Sequence, residues 1–143
     1  VNQEVEQLNV LVIDDDASMR DLLVDIVTRR GHQVVPAGSA EEGLELLPYW
    51  SFQVAFIDQM LPGMEGMVLC RYLRRNNPDM SIALVTGEQD PRLPKEAREL
   101  SVGFIKKPFD IQVVQRVMDE YVGGAVSRRE QRLRQEDPDW APP

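Results

Sequence analysis

The sequence predicts an α/β protein, a doubly wound (βα)5 arrangement around an open sheet of five parallel strands. Three observations carry this prediction. Short apolar runs alternate with longer segments of helical period. The runs are too continuous for strands with one wet face, so they suit a sheet covered on both sides. The 143 residues are enough for one hydrophobic core and too few for two ordinary ones.

The five apolar runs occupy residues 8–13, 33–35, 54–57, 82–85 and 102–105. After the first, Met19, Leu22, Leu23, Ile26 and Val27 share one helical face that ends at Gly31, a suitable C-terminal stop. Ser39 is the expected N-cap of the second helix, which carries Leu44 and Leu47 and ends before Pro48. The third follows Gly66, turns Met67, Cys70 and Leu73 inward, and has Pro78 beyond it. The fourth, at residues 95–100, is short, with Pro91 and Pro94 ahead of it. The fifth, after Asp110, sets Ile111, Val114, Val117, Met118 and Tyr121 to one side, and Gly123-Gly124 is expected to break it. The organisation expected is an arm at 1–7, a folded domain at 8–122, and a tail or linker at 123–143. That tail holds a mixed-charge stretch, Pro138, Trp140 and a Pro142-Pro143 end, with Trp140 expected to be disordered or lightly docked, or else to anchor an interface.

Composition narrows the functional classes. Apolar residues make up 43% and charged residues 28%, the profile of a globular protein. No apolar run approaches the roughly 18 residues of a membrane span, and the first residues lack the order of a secretory signal. The single cysteine, Cys70, permits no internal disulfide and fits a reducing cytoplasm. Net charge is −8. Beyond residue 122, Arg128, Arg129, Arg132 and Arg134 cancel Glu130, Glu136, Asp137 and Asp139, so the excess lies in the folded body. Such a body disfavours nucleic acid and anionic membrane as partners.

The chemistry lies where the apolar runs end. The first closes in Asp14-Asp15-Asp16, the third in Asp58, the fourth in Thr86 and the fifth in Lys106-Lys107-Pro108. In a sheet ordered 2-1-3-4-5, strands 1, 3, 4 and 5 are neighbours, and ligands bind beyond their C-terminal ends. Each residue alone has a dull explanation as a cap, a strand end or a surface charge. Their joint placement at four strand ends does not. Clustered carboxylates raise one another's pKa unless a cation compensates, and an oxygen-only donor set suits Mg²⁺ or Mn²⁺. A carboxylate beside such an ion can attack a phosphoryl donor, while a lysine and a hydroxyl neutralise the developing charge.

Val12-Ile13-Asp14-Asp15-Asp16, the segment from Asp58 through Pro62-Gly63 to Gly66, Val85-Thr86-Gly87 and Lys107-Pro108-Phe109 together resemble the receiver domain of two-component response regulators. The resemblance implies a flavodoxin-like fold for residues 8–122. It makes Asp58 the phosphoacceptor, loaded by a sensor histidine kinase or phosphotransfer protein. Asp14, Asp15, Asp58 and the Met60 carbonyl would hold Mg²⁺ (or Mn²⁺). Lys107, whose bond to Pro108 is often cis in the family, would pair with the phosphoryl group. Thr86 and the aromatic Phe104 would form the switch. The implied protein is a cytoplasmic signalling domain, catalysing only its own phosphorylation and dephosphorylation. Its implied output is protein contact through helix 4, strand 5 and helix 5, with a downstream target or a second copy, and no binding of nucleic acid by this chain alone. Residues 87–102 are shorter than usual in the family, which leaves the output face less defined than the chemistry.

Three other functions compete. A haloacid-dehalogenase type phosphohydrolase would need a second aspartate at the position of Met60. A nucleotide-binding module would need a glycine-rich loop after strand 1. A receiver-like interaction domain that takes no phosphate is opposed by the intact set of Asp14, Asp15, Asp58, Thr86 and Lys107. His32 is expected in a surface turn and Cys70 in the core of helix 3. Met60, Leu61 and Met64 suit either loop packing or a partner contact.

Overall fold

The computed structural model describes residues 6–142. Most of the expected arm at 1–7, and Pro143 at the other end, lie outside them. The elements alternate throughout: β1 (Asn9–Ile13), α1 (Ala17–Arg29), β2 (Gln33–Ala37), α2 (Ala40–Leu46), β3 (Val54–Asp58), α3 (Gly66–Asn76), β4 (Ser81–Thr86), α4 (Arg92–Glu99), β5 (Gly103–Lys106) and α5 (Ile111–Glu136). All strand pairs are parallel, as the apolar runs predict, and the order is β2-β1-β3-β4-β5, the one expected for the five-stranded (βα)5 version.

Strand side chains alternate between faces, and this divides the core in two. Leu11, Ile13, Ala55, Ile57, Ile82 and Leu84 face one layer with Ala40 of α2, Met67, Cys70 and Leu73 of α3, and Leu93 and Ala97 of α4. Val10, Val12, Val54, Phe56, Ala83, Val85 and Ile105 face the other, with Leu23, Ile26 and Val27 of α1 and Val114 and Met118 of α5. The central β3 is buried along its whole length. β2 lies at an edge and is half exposed, which is where a sheet accepts a proline such as Pro36.

Caps fix the helix starts. The Asp16 carboxylate accepts from the amides of Ser18 and Met19, and Ser39 Oγ accepts from Glu42 N at 3.1 Å. Glu42 reaches back to accept from Gly38 N at 2.8 Å. Gly31 sits at φ +92, the left-handed conformation that ends α1. α4 begins three residues earlier than expected, because Pro94 falls in its first turn, where an amide has no partner to lose.

Three expectations are corrected. Gly123-Gly124 does not end α5, which continues to Glu136. Glycine costs about 1 kcal/mol per helical position. Packing of Tyr121, Val122 and Ala125 against the α1–α5 layer works against that cost, and a surface ion pair from Arg129 to Glu6 at 2.8 Å adds little. His32 is buried at 5% exposure, and its Nδ1 accepts from Leu8 N at 3.1 Å, joining the turn to the start of β1. Ile111 is exposed instead of facing the core, since α5 turns inward only from Val113 and Val114. Cys70 is buried as expected, and burial pushes its thiol up to about 12. Trp140 is half-buried, with its amide donating to Asp137 O at 3.0 Å.

Candidate functional site

The site lies at the C-terminal edge of the sheet, where β1, β3, β4 and β5 finish side by side. β1 delivers Asp14, which is fully buried, with its amide bonded to Ala37 O and its carbonyl held by Arg20 Nη1 at 2.8 Å. The chain turns sharply there because Asp14 Oδ1 accepts from Asp16 N at 2.9 Å. Asp15 is thereby left exposed beside the pocket, and Asp16 is committed to capping α1.

Asp58 closes β3 and is 6% exposed. Gly66 starts α3 directly beneath it, so close that a Cβ there would collide with the Asp58 and Gln59 backbone. Gln59 turns back into the protein, where its Oε1 accepts from Met67 N at 2.8 Å. It caps α3 in place of Glu65, which makes no capping bond. The loop that leaves Asp58 is thus pinned to the helix behind it. Neither the cap nor the Arg20 contact is apparent from the sequence, because both depend on the folded path of the loops. Met60 points outward and is 64% exposed.

Lys107 completes the centre. Its Nζ lies 3.1 Å from Asp14 Oδ2 and 3.4 Å from Asp58 Oδ1, and its amide donates to Thr86 O at 2.8 Å. The Lys107-Pro108 peptide is cis. Lys106 is exposed and takes no part. Thr86 is fully buried, and its Oγ1 accepts from Glu88 N at 3.0 Å. Phe104 lies on β5 opposite Leu84, half-buried against the α2–α4 layer.

One ammonium does not balance three carboxylates. Burial raises the pKa of Asp58, and the charge of Asp14 raises it further. Lys107 and a backbone hydrogen bond from Met60 pull the other way without cancelling the shift. Carboxylate oxygens of Asp14, Asp15 and Asp58 all lie within 4.8 Å of one another, so a metal ion can be held between them. The oxygen-only donors suit a hard cation, and the exposed Asp15 side leaves room for water and a further oxygen ligand.

Residues 10–119 match the response regulator receiver domain family. The chain is 35% identical over 103 residues to the transcriptional regulatory protein FixJ of Bradyrhizobium diazoefficiens, covering 71% of this chain and 50% of that protein. To the transcriptional regulatory protein AfsQ1 of Streptomyces coelicolor it is 39% identical over 82 residues, 57% of this chain and 36% of that one. The chain thus spans half the length, or less, of these curated relatives. A CheY-like receiver domain protein from Methanospirillum hungatei shares the fold with a TM-score of 0.78, at 24% identity, over 85% of this chain and 99% of that one. No helix of the described residues is long and apolar enough to cross a membrane. From the family match, the strand order and the acidic pocket at the sheet's carboxyl edge, the chain belongs to the receiver domains of two-component response regulators.

Proposed function

We propose that Asp58 accepts a phosphoryl group from a histidine kinase or phosphotransfer protein and that protein contact reads out the change. The observation that carries this reading is Lys107 Nζ, placed within 3.4 Å of a buried Asp58 whose pocket already holds two further carboxylates. A carboxylate oxygen of Asp58 attacks phosphorus, an O–P bond forms, and the N–P bond to the donor imidazole breaks. The leaving imidazole takes up a proton from water, since the attacking carboxylate releases none. The residues that would hold Mg²⁺ are Asp14, Asp15 and Asp58, with the Met60 carbonyl, and the ion would neutralise charge on the transferring oxygens. Lys107 supplies a further point charge, exchanging its contact with Asp58 for the phosphoryl oxygens. The Thr86 oxygen accepts from Glu88 N, which leaves its own hydrogen free to donate to a phosphoryl oxygen.

The new group brings about −1.5 to −2 charges. Drawing Thr86 inward opens space beside β5 for Phe104, which biases an existing equilibrium of the α4–β5–α5 face. Signalling in a cytoplasmic setting, with no catalysis beyond the domain's own phosphorylation state, follows from this reading. The test is the intact mass of the chain after acetyl phosphate treatment. Mg²⁺ should permit addition of one phosphoryl group, and EDTA or Asp58→Asn should prevent it. Equal labelling of the Asp58→Asn variant would remove the assignment.

A further inference from the structure

A second surface adjoins the loop that follows Asp58, and the chemistry above does not use it. A groove of about 460 Å³ runs between α2 and the β3–α3 loop, lined by Ala40, Glu41, Leu44, Glu45, Pro62 and Met64, among others. Leu44 and Met64 are half-buried and pack at their inner ends against the core, leaving an apolar floor. The shape of the groove is built in. Gly43 lets α2 sit directly on Ile13, and Gly63 at φ +77 makes the turn that forms the opposite wall.

The rim is acidic without internal compensation. Glu42 is occupied in capping α2, but Glu41 and Glu45 make no hydrogen bond or ion pair among the described residues. Glu41 lies in the first turn of α2, where the helix dipole favours an acid, but Glu45 lies near the C-terminal end, where it does not, and the two repel each other at i and i+4 by about 0.2–0.5 kcal/mol. A cationic partner would relieve that repulsion.

We infer that this groove docks a cationic amphipathic helix of another protein, with an apolar side chain on Leu44 and Met64 and flanking Lys or Arg side chains on Glu41 and Glu45. The assignment rests on charge complementarity around an apolar floor, and it is independent of phosphorylation. The seated helix would press on Pro62–Met64, in the same loop whose Met60 backbone bonds to Asp58.

The probe is a synthetic leucine–lysine helical peptide of about 15 residues, the length at which isolated helices become marginally stable, titrated into the isotope-labelled full chain and followed by amide NMR. Saturable shifts should concentrate at Ala40, Leu44, Gly63 and Met64. The double charge reversal Glu41→Lys/Glu45→Lys should weaken binding at least tenfold. The control reversal Asp21→Lys/Glu99→Lys, which changes net charge equally, should weaken it less than threefold. A glutamate-for-lysine version of the peptide should not bind. Shifts spread over the whole acidic surface, equal losses in the two double variants, or no saturation at millimolar peptide would each overturn the inference.

Discussion

At the scale of single residues, the site combines stability costs with reactivity. Asp58 is buried near two other carboxylates, and its pKa is raised by burial first and by Asp14 second. A carboxyl group whose folded pKa exceeds its unfolded value makes its ionised form a liability. That liability is complete above the folded pKa, shrinks as pH falls from there, and is gone only below the unfolded value. In metal-free buffer at pH 7, Asp58→Asn should therefore be more stable than wild type, within the roughly 0.5–2 kcal/mol range of single stabilising substitutions. The gain should shrink on acidification, and saturating Mg²⁺ should stabilise wild type more than the variant. Urea titrations with and without Mg²⁺ measure both effects.

His32 titrates in the opposite sense. Burial lowers its pKa, and Arg30 adds to this while Asp119 opposes it. The neutral ring accepts from Leu8 N, so protonation would break that bond. Stability from this group is present above the ordinary histidine pKa of about 6.5 and is lost as pH falls from there through the lowered folded value. His32→Gln should cost about 1 kcal/mol at pH 7, the worth of a net hydrogen bond. It should also flatten the loss of stability between pH 7 and pH 5, and a slope equal to wild type would contradict the account.

At the scale of elements, the strands were legible because a parallel sheet buried on both faces leaves unbroken apolar runs. Their boundaries differ from the sequence reading by one or two residues: β1 starts at Asn9, and β2 extends to Ala37. The candidate site residues follow from the same runs, since they stand where the strands end and the strand order places those ends side by side. What the sequence concealed depends on long-range contacts. Arg74 holds the end of α3 by bonding to carbonyls of Pro78, Met80, Leu100 and Ser101, and nothing local to it signals this. The passage of α5 through Gly123-Gly124 is accompanied by packing of Tyr121, Val122 and Ala125 against the core and by a contact of Arg129 with Glu6, 123 residues away in sequence. Local propensity opposes a helix there, and tertiary contacts prevail.

The helical glycines allow a paired test. A Cβ at Gly43 would strike the side chain of Ile13, which is 1% exposed and has no space to yield. Gly43→Ala should therefore cost about 1–3 kcal/mol through overpacking, despite its better helix propensity. A Cβ at Gly123 meets nothing within 4 Å. Gly123→Ala should stabilise by up to about 1 kcal/mol. Thermal melts of the two variants should move in opposite directions, and a loss of stability in Gly123→Ala would mean that α5 does not continue as described.

At the scale of the whole molecule, the two poles of the sheet differ. The carboxyl edge carries the acidic pocket. At the opposite edge, the α5 extension lies near Glu6, Asn9, Phe52 and Met80 and brings Arg128, Arg129 and Arg132 with it. The tail arginines therefore lie against the body, and the −8 charge of the chain still weighs against a phosphate backbone as partner. The central proposal is that Asp58 is the phosphoacceptor, so the most direct test must report on that residue. The chain is treated with acetyl phosphate and Mg²⁺, reduced with borohydride, which converts an aspartyl phosphate to homoserine, and mapped by peptide mass spectrometry. Homoserine at position 58, absent when EDTA replaces Mg²⁺, is the result predicted here. Reduction at Asp14 or Asp15 with Asp58 intact, or a position 58 that never becomes reducible, would contradict the central claim.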